Sequence, residues 1–213
     1  MALAVSVPAT AATVNRVYNG DTTTATFHFS GEIRPGDLGR LQTQTAKIPS
    51  GQRIVLLLDT WGGSIDEGSA MGRYIYSAKI TTIAIQGPGC HSSCTFMFLA
   101  GRDYVTDEPS RIMMQGAKIG FHQGRLGRLS QQAFTADDVN AATQVGQEIV
   151  KQVNAYFNEI KADPEFLTLF LSAPTTSLTF LNEFDALRLG IYVMDPKSKK
   201  LISPDQFKQT TQR

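Results

Sequence analysis

Ser92 lies in the segment Gly89-Cys90-His91-Ser92-Ser93-Cys94, between an apolar strand-like stretch and the apolar run Phe96-Met97-Phe98-Leu99-Ala100. A serine hydroxyl is a weak nucleophile at neutral pH. To attack a carbonyl it needs a base within hydrogen-bond reach and donors for the oxyanion that forms. The chain holds a candidate for each part. His122, in Gly120-Phe121-His122-Gln123, falls at a strand end ahead of a glycine-bearing loop and suits a general base. Gly62-Gly63, in Asp59-Thr60-Trp61-Gly62-Gly63-Ser64, follows a buried strand, where successive glycines let main-chain N–H groups turn toward a ligand. The N–H of Ser93, at the start of a short helix, would point to the same side as the Ser92 hydroxyl. Both the Gly62-Gly63 turn and the Ser93 amide could serve an oxyanion formed at Ser92.

Each residue also has a plainer reading. A Gly-Gly pair is often a tight turn, a serine before a helix is often a cap, and a lone strand-end histidine is usually structural; only the combination favours chemistry. Of the other two histidines, His28 lies on the strand face opposite Phe27 and Phe29 and reads as a surface or structural residue. His91 adjoins Ser92 in an extended segment, where neighbouring side chains project to opposite sides, and makes a poor base for it. Cys90 and Cys94 bracket the serine and either form a local disulfide, if backbone geometry permits, or are two small buried thiols. Two cysteines are too few for a zinc site without other ligands, so the reading calls for no metal and no cofactor.

The elements that must position these groups alternate. Thr24 to Ile33 reads as a strand with one buried face, ended by Pro35-Gly36, and Asp37 to Ile48 has helical spacing. The continuous apolar run Ile54 to Leu58 is typical of a strand covered on both faces, hence of a parallel sheet. Ile65 to Ala78 reads as a helix and Ile80 to Ile85 as a strand, which completes a βαβαβ alternation. Ser92 to Ala100 follows as a short helix, then strands at Tyr104–Thr106, Arg111–Met114 and 119–121. From Asp137 to Ile160, Val139, Ala142, Val145, Ile149, Val153, Tyr156 and Ile160 keep a 3.6-residue beat, opened by Thr135 or Asp137 as cap. Further helices start at Asp163-Pro164 and Asn182-Glu183, the second closing on Gly190 before a strand at 192–194. The fold class is α/β with a mostly parallel sheet.

A chain of 213 residues suffices for one domain, placed at residues 24–195 between a flexible segment or signal-peptide remnant at 1–23 and a polar tail at 196–213. Lysine and arginine total 20 against 19 acids, and a net charge of +1 gives no field for nucleic acid or an anionic membrane. No apolar stretch approaches the roughly 18–20 residues a spanning helix needs. The opening Met1 to Ala12 resembles the end of a secretory leader with an Ala-x-Ala-type site, though without a basic start; with the paired cysteines it points to a periplasmic or secreted protein, the alternative being cytoplasmic.

Four motifs occur in order: Asp59-Thr60-Trp61-Gly62-Gly63-Ser64-Ile65; Cys90-His91-Ser92 with Gly101 nine residues beyond the serine; Arg111-Ile112-Met113; and Gly120-Phe121-His122-Gln123. Together they resemble the proteolytic subunit of the Clp protease over roughly residues 25 to 195, and the Cys-x-Ser-x-Cys form is similar to the periplasmic Clp-protease-like proteins of bacteria. The resemblance implies the crotonase-type superfamily fold of repeated ββα units with C-terminal helices. It further implies a serine peptidase with Ser92 as nucleophile, His122 as base and the Gly63 and Ser93 amides as oxyanion hole, acting on peptide or unfolded protein in a homo-oligomer. One position departs: Leu178 stands where the family has its triad aspartate. Asp185 is a weak substitute within a helix, and Ser177, Thr179 and Asn182 offer only neutral hydrogen bonds. Alternatives are a catalytically weak or inactive peptide-binding protein of the same fold, a crotonase-like acyl-CoA enzyme, and Ser–Lys chemistry through Lys79 or Lys118.

Overall fold

The structure, a computed structural model, describes residues 11–18, 20–123, 136–174 and 177–211. A seven-stranded sheet carries the fold. In spatial order it runs β1 (Thr13–Val17), β2 (Thr24–Ser30), β3 (Arg53–Asp59), β4 (Thr81–Ala84), β6 (Arg111–Met114), β9 (Tyr192–Met194) and β10 (Leu201–Ile202). The five strands from β2 to β9 are mutually parallel, and β1 and β10 close the edges antiparallel. Parallel neighbours need crossovers, and helices supply them: α1 (Asp37–Thr45) joins β2 to β3, and α2 (Ile65–Ser77) joins β3 to β4. Thr45 Oγ1 and Tyr74 Oη, 2.6 Å apart, tie the two helices together.

A three-stranded sheet stands beside the first, made of β5 (Cys90–His91), β7 (Ile119–Phe121) and β8 (Thr179–Leu181). β5 is parallel to β7 and β8 antiparallel to it. Single parallel bridges, Ile33 to Gly63 and Thr60 to Cys90, extend the ends of β2 and β3 toward this second layer. Between the layers lies α3 (Cys94–Leu99), buried on every side, so that Phe96, Met97, Phe98 and Leu99 all enter one core. The helical region beyond comprises α4 (Ala136–Glu159), α5 (Pro164–Ser172), α6 (Glu183–Arg188) and α7 (Pro204–Thr211).

Several boundaries differ from the sequence reading. The flexible segment assigned to residues 1–23 includes β1, and Ala12 and Val14 are core residues, because five residues there pair with β2 in full register. The leader reading otherwise falls on residues outside those described. The polar tail at 196–213 also gains structure: α7 lays Phe207 edge-on against Phe184, with ring centroids 5.0 Å apart. Tyr104–Thr106 forms a turn and no strand, because Asp103 Oδ1 accepts hydrogen bonds from the N–H groups of Val105 and Thr106. In α4 only the C-terminal part of the apolar stripe is covered: Val153, Tyr156 and Phe157 are buried, whereas Val145 is exposed. The expected cap Thr135 lies outside the described residues.

Candidate functional site

Ser92 occupies the turn between β5 and α3 with φ of +55°, a left-handed conformation that costs a non-glycine residue about 1–2 kcal/mol. Its surroundings hold it there. The Ser92 N–H donates to the Gly120 carbonyl at 2.9 Å, and the Ser92 carbonyl accepts from both Thr95 N (2.9 Å) and Thr95 Oγ1 (2.7 Å). Cys90 and Cys94 are joined as a disulfide across the turn with Cα atoms 5.2 Å apart, within the usual span. A strand-to-helix turn of this kind thrusts the serine side chain outward. Ser92 accordingly lines an open cleft while Ser93 is 1% exposed, so the two neighbouring serines are distinguished by their placement.

Glycines make the close approach possible. A Cβ on Gly62 would sit 2.6 Å from the His91 carbonyl oxygen and 2.8 Å from Ser92 Cβ, and one on Gly68 of α2 would sit 2.7 Å from the Ser93 carbonyl oxygen. Gly62 and Gly63 both have positive φ, at +95° and +149°. Their polar groups are divided: the Gly62 carbonyl accepts from Ile33 N, Ser64 N donates to the Ile33 carbonyl, and Gly62 N donates to Thr60 Oγ1. The N–H groups of Gly63 and Ser93 donate to no acceptor among the described residues. Gly63 lines the same cleft as Ser92, and a Cβ on Gly62 would lie 3.1 Å from Ser93 N. Two unspent amides therefore flank the serine.

The cleft has a volume of about 720 Å³ and runs between α2 and the C-terminal half of α4. His122 lines it, one residue past the end of β7. The imidazole Nδ1 lies 2.5 Å from the Gln123 carbonyl oxygen. A carbonyl only accepts, so Nδ1 carries a proton, and in the neutral imidazole Nε2 is then the acceptor. No hydrogen bond joins Ser92 to His122 among the described residues. Other polar side chains along the cleft are Asp66, Ser69 and Arg73 of α2 and Gln152 of α4, with Arg73 Nε bonded to Glu159 at 2.7 Å and its guanidinium 5.3 Å from the Tyr156 ring centroid. Asp66 and Arg73 went unnoticed in the sequence; their i and i+7 spacing on α2, after the Gly-Gly turn, was the available signal.

The other two histidines do not line the cleft. His91 is fully buried beneath Trp61, with ring centroids 4.6 Å apart, and against the edge of Phe180. Its Nε2 meets the Pro88 carbonyl, and its Nδ1 is enclosed with no partner. Burial lowers its pKa from the ordinary value, with Lys118 and His122 adding to the effect and the Pro88 carbonyl and Asp59 opposing it. His28 lies 3.8 Å from Asp59, away from the cleft.

Among the described residues no carboxylate is hydrogen-bonded to or ion-paired with His122. The antiparallel register pairs Ile119 with Leu181, Gly120 with Phe180 and Phe121 with Thr179, where it ends, and Leu178 packs beside Gly120, 3.2 Å from where a Cβ on that glycine would lie. Asp185 is engaged elsewhere: it accepts from Asn182 Nδ2 at 2.7 Å and from Arg188, and its N–H is capped by Asn182 Oδ1. Asn182 is thus a helix cap and Thr179 a strand residue facing Phe121. Neither Lys79, paired with Asp107 at 2.9 Å, nor Lys118 lines the cleft. Among the described residues no three His, Cys, Asp or Glu side chains gather as a metal site would require, and no helix is long and apolar enough to cross a membrane.

The arrangement sets a half-buried serine, an imidazole and the Gly63 amide along one cleft, with the Ser93 amide adjoining the serine. Comparison with known protein families found no family model that matches the chain, and comparison with curated proteins found no match either.

Proposed function

We propose that this protein is a serine hydrolase of the peptidase kind with a Ser92–His122 dyad. The observation that carries the reading is that the strained, disulfide-bracketed Ser92 and His122 line one cleft, with the unpartnered Gly63 and Ser93 amides beside the serine. Ser92 Oγ attacks a peptide carbonyl as His122 Nε2 takes its proton. The tetrahedral oxyanion accepts from Gly63 N and Ser93 N, and the proton then passes to the leaving amine. Water repeats the sequence on the acyl-enzyme. The Gln123 carbonyl fixes the tautomer in the place of an aspartate but supplies no charge to the imidazolium, so turnover is slow by comparison with a full triad.

Topology supports the Clp-protease-like, crotonase-type reading of the fold. β4, β5 and α3 form one strand-strand-helix succession and β6, β7 and α4 another, with the first strand of each in the large sheet and the second in the small one. The Cys90–Cys94 disulfide supports a periplasmic or secreted location, since such bonds persist in oxidising compartments. A homo-oligomer acting on extended peptide remains part of this proposal.

A second reading, a peptide-binding protein with little or no turnover, is favoured by one observation: among the described residues no carboxylate is bonded to His122, whose Nδ1 meets the neutral Gln123 carbonyl instead. A fluorophosphonate probe separates the two. Labelling of the parent protein, retained in Ser93→Ala and lost in Ser92→Ala and His122→Ala, is expected of the hydrolase. A folded parent that resists the probe, yet binds peptides equally well as Ser92→Ala, would establish the binding protein instead.

A further inference from the structure

A cavity of about 400 Å³ opens at the opposite end of α3 from Ser92, walled by Tyr76, Arg102, Asp107, Glu108, Arg111 and Lys161. Arg111, the first residue of β6, is 4% exposed. Its Nε is enclosed without a hydrogen-bond partner, and no described group accepts from the rest of its guanidinium. The Phe166 ring lies 6.0 Å from Arg111 Cζ, which offers a π-face but no acceptor. Asp163 acts on the guanidinium through space, but its Oδ1 already accepts from Glu165 N at 2.8 Å as the cap of α5. Burial draws the Arg111 pKa down to about 10, so the group remains charged at neutral pH.

A guanidinium presents five donors in a planar fork suited to carboxylate or phosphate oxygens, and burying one without an acceptor is costly. The acids in the wall do not answer it. Asp107 is shared between Lys79 at 2.9 Å and Arg102, leaving Glu108 as the remaining carboxylate beside Arg111 and Lys161. Lys161 makes no ion pair among the described residues. The wall thus carries three cations, Arg102, Arg111 and Lys161, against two acids.

We propose that this cavity is a binding site for a small anion bearing a phosphate or carboxylate group, with the Arg111 guanidinium as the fork that grips it and Lys161 as the second cation. The site is separate from the Ser92 cleft and stands whether or not that cleft is catalytic. Thermal unfolding and titration calorimetry of the whole chain test it, with inorganic phosphate and acetate each compared with chloride at equal ionic strength. The expected result is a saturable rise in Tm with phosphate or acetate beyond that with chloride, the stronger of the two identifying the headgroup. Lys161→Ala, on an exposed side chain, should weaken the affinity at least fivefold. Arg111→Met should abolish the response, and Ser92→Ala should retain it. A chloride-like response to both anions, or Lys161→Ala binding as tightly as the parent, overturns the proposal even where Arg111→Met fails to fold.

Discussion

Replacing Leu178 with aspartate should accelerate the chemistry of Ser92. The β7–β8 register ends at Phe121 with Thr179; continued by one step it would set residue 178 opposite His122, and side chains so paired have Cβ atoms about 5 Å apart. A carboxylate there lies within about 4 Å of the imidazole edge and attracts the imidazolium that forms when Ser92 gives up its proton. At an effective dielectric of 20 the attraction is about 4 kcal/mol. His122 is half-buried, and halving the figure for solvent leaves about 2 kcal/mol. Since each 1.36 kcal/mol is tenfold, the gain is about 30-fold in the rate of the acylation step. The assay is the second-order rate of fluorophosphonate labelling at pH 7.5 in low salt, with ester hydrolysis beside it. Leu178→Asn, which brings hydrogen bonding without charge, should gain far less. An unchanged rate in a folded Leu178→Asp protein would refute the reasoning, showing that His122 is not the base or that residue 178 does not face it.

Gly62→Ala should be costly, because its Cβ would meet backbone of the His91–Ser92 segment at a φ of +95°; a loss of about 2–4 kcal/mol by urea denaturation is expected, with probe labelling abolished. Removing the disulfide through Cys90→Ala with Cys94→Ala frees a short loop worth about 2 kcal/mol in the chain-entropy account and should lower both the urea midpoint and the labelling rate; unchanged labelling would show that the turn holds Ser92 unaided. His91 is held below its ordinary pKa by burial, so the unfolded chain protonates first as pH falls. Its contribution is complete above the unfolded value of about 6.5 and is lost as pH drops below it, levelling off beneath the folded value. Stability curves from pH 8 to 5 should show this slope in the parent and less of it in His91→Asn.

The parallel sheet was legible because Ile54 to Leu58 is apolar without interruption, as a strand covered on both faces must be. The Gly62-Gly63 turn and His122 were marked by the ends of the strands before them, and Ser92 by the start of the apolar helix after it. β5 and β8 escaped, being two and three residues long with no periodicity to detect, and they are the strands that seat the turn before Ser92 and bring Leu178 beside Gly120. The stripe on α4 was read correctly as helix, but periodicity alone does not say how much of a helix is covered. The tautomer fixed by the Gln123 carbonyl and the exclusion of Asp185 depend on side-chain geometry, which no sequence pattern encodes. The unpaired Arg111 was likewise hidden, since its consequence lies in the missing acceptor.

The most direct test of the account is a crystal structure of the phosphonate adduct. It predicts phosphorus bonded to Ser92 Oγ, the phosphoryl oxygen about 2.7–3.1 Å from Gly63 N and Ser93 N, and His122 Nε2 facing the leaving-group side. An adduct whose oxygen points into solvent, with His122 turned away from the cleft, would contradict it.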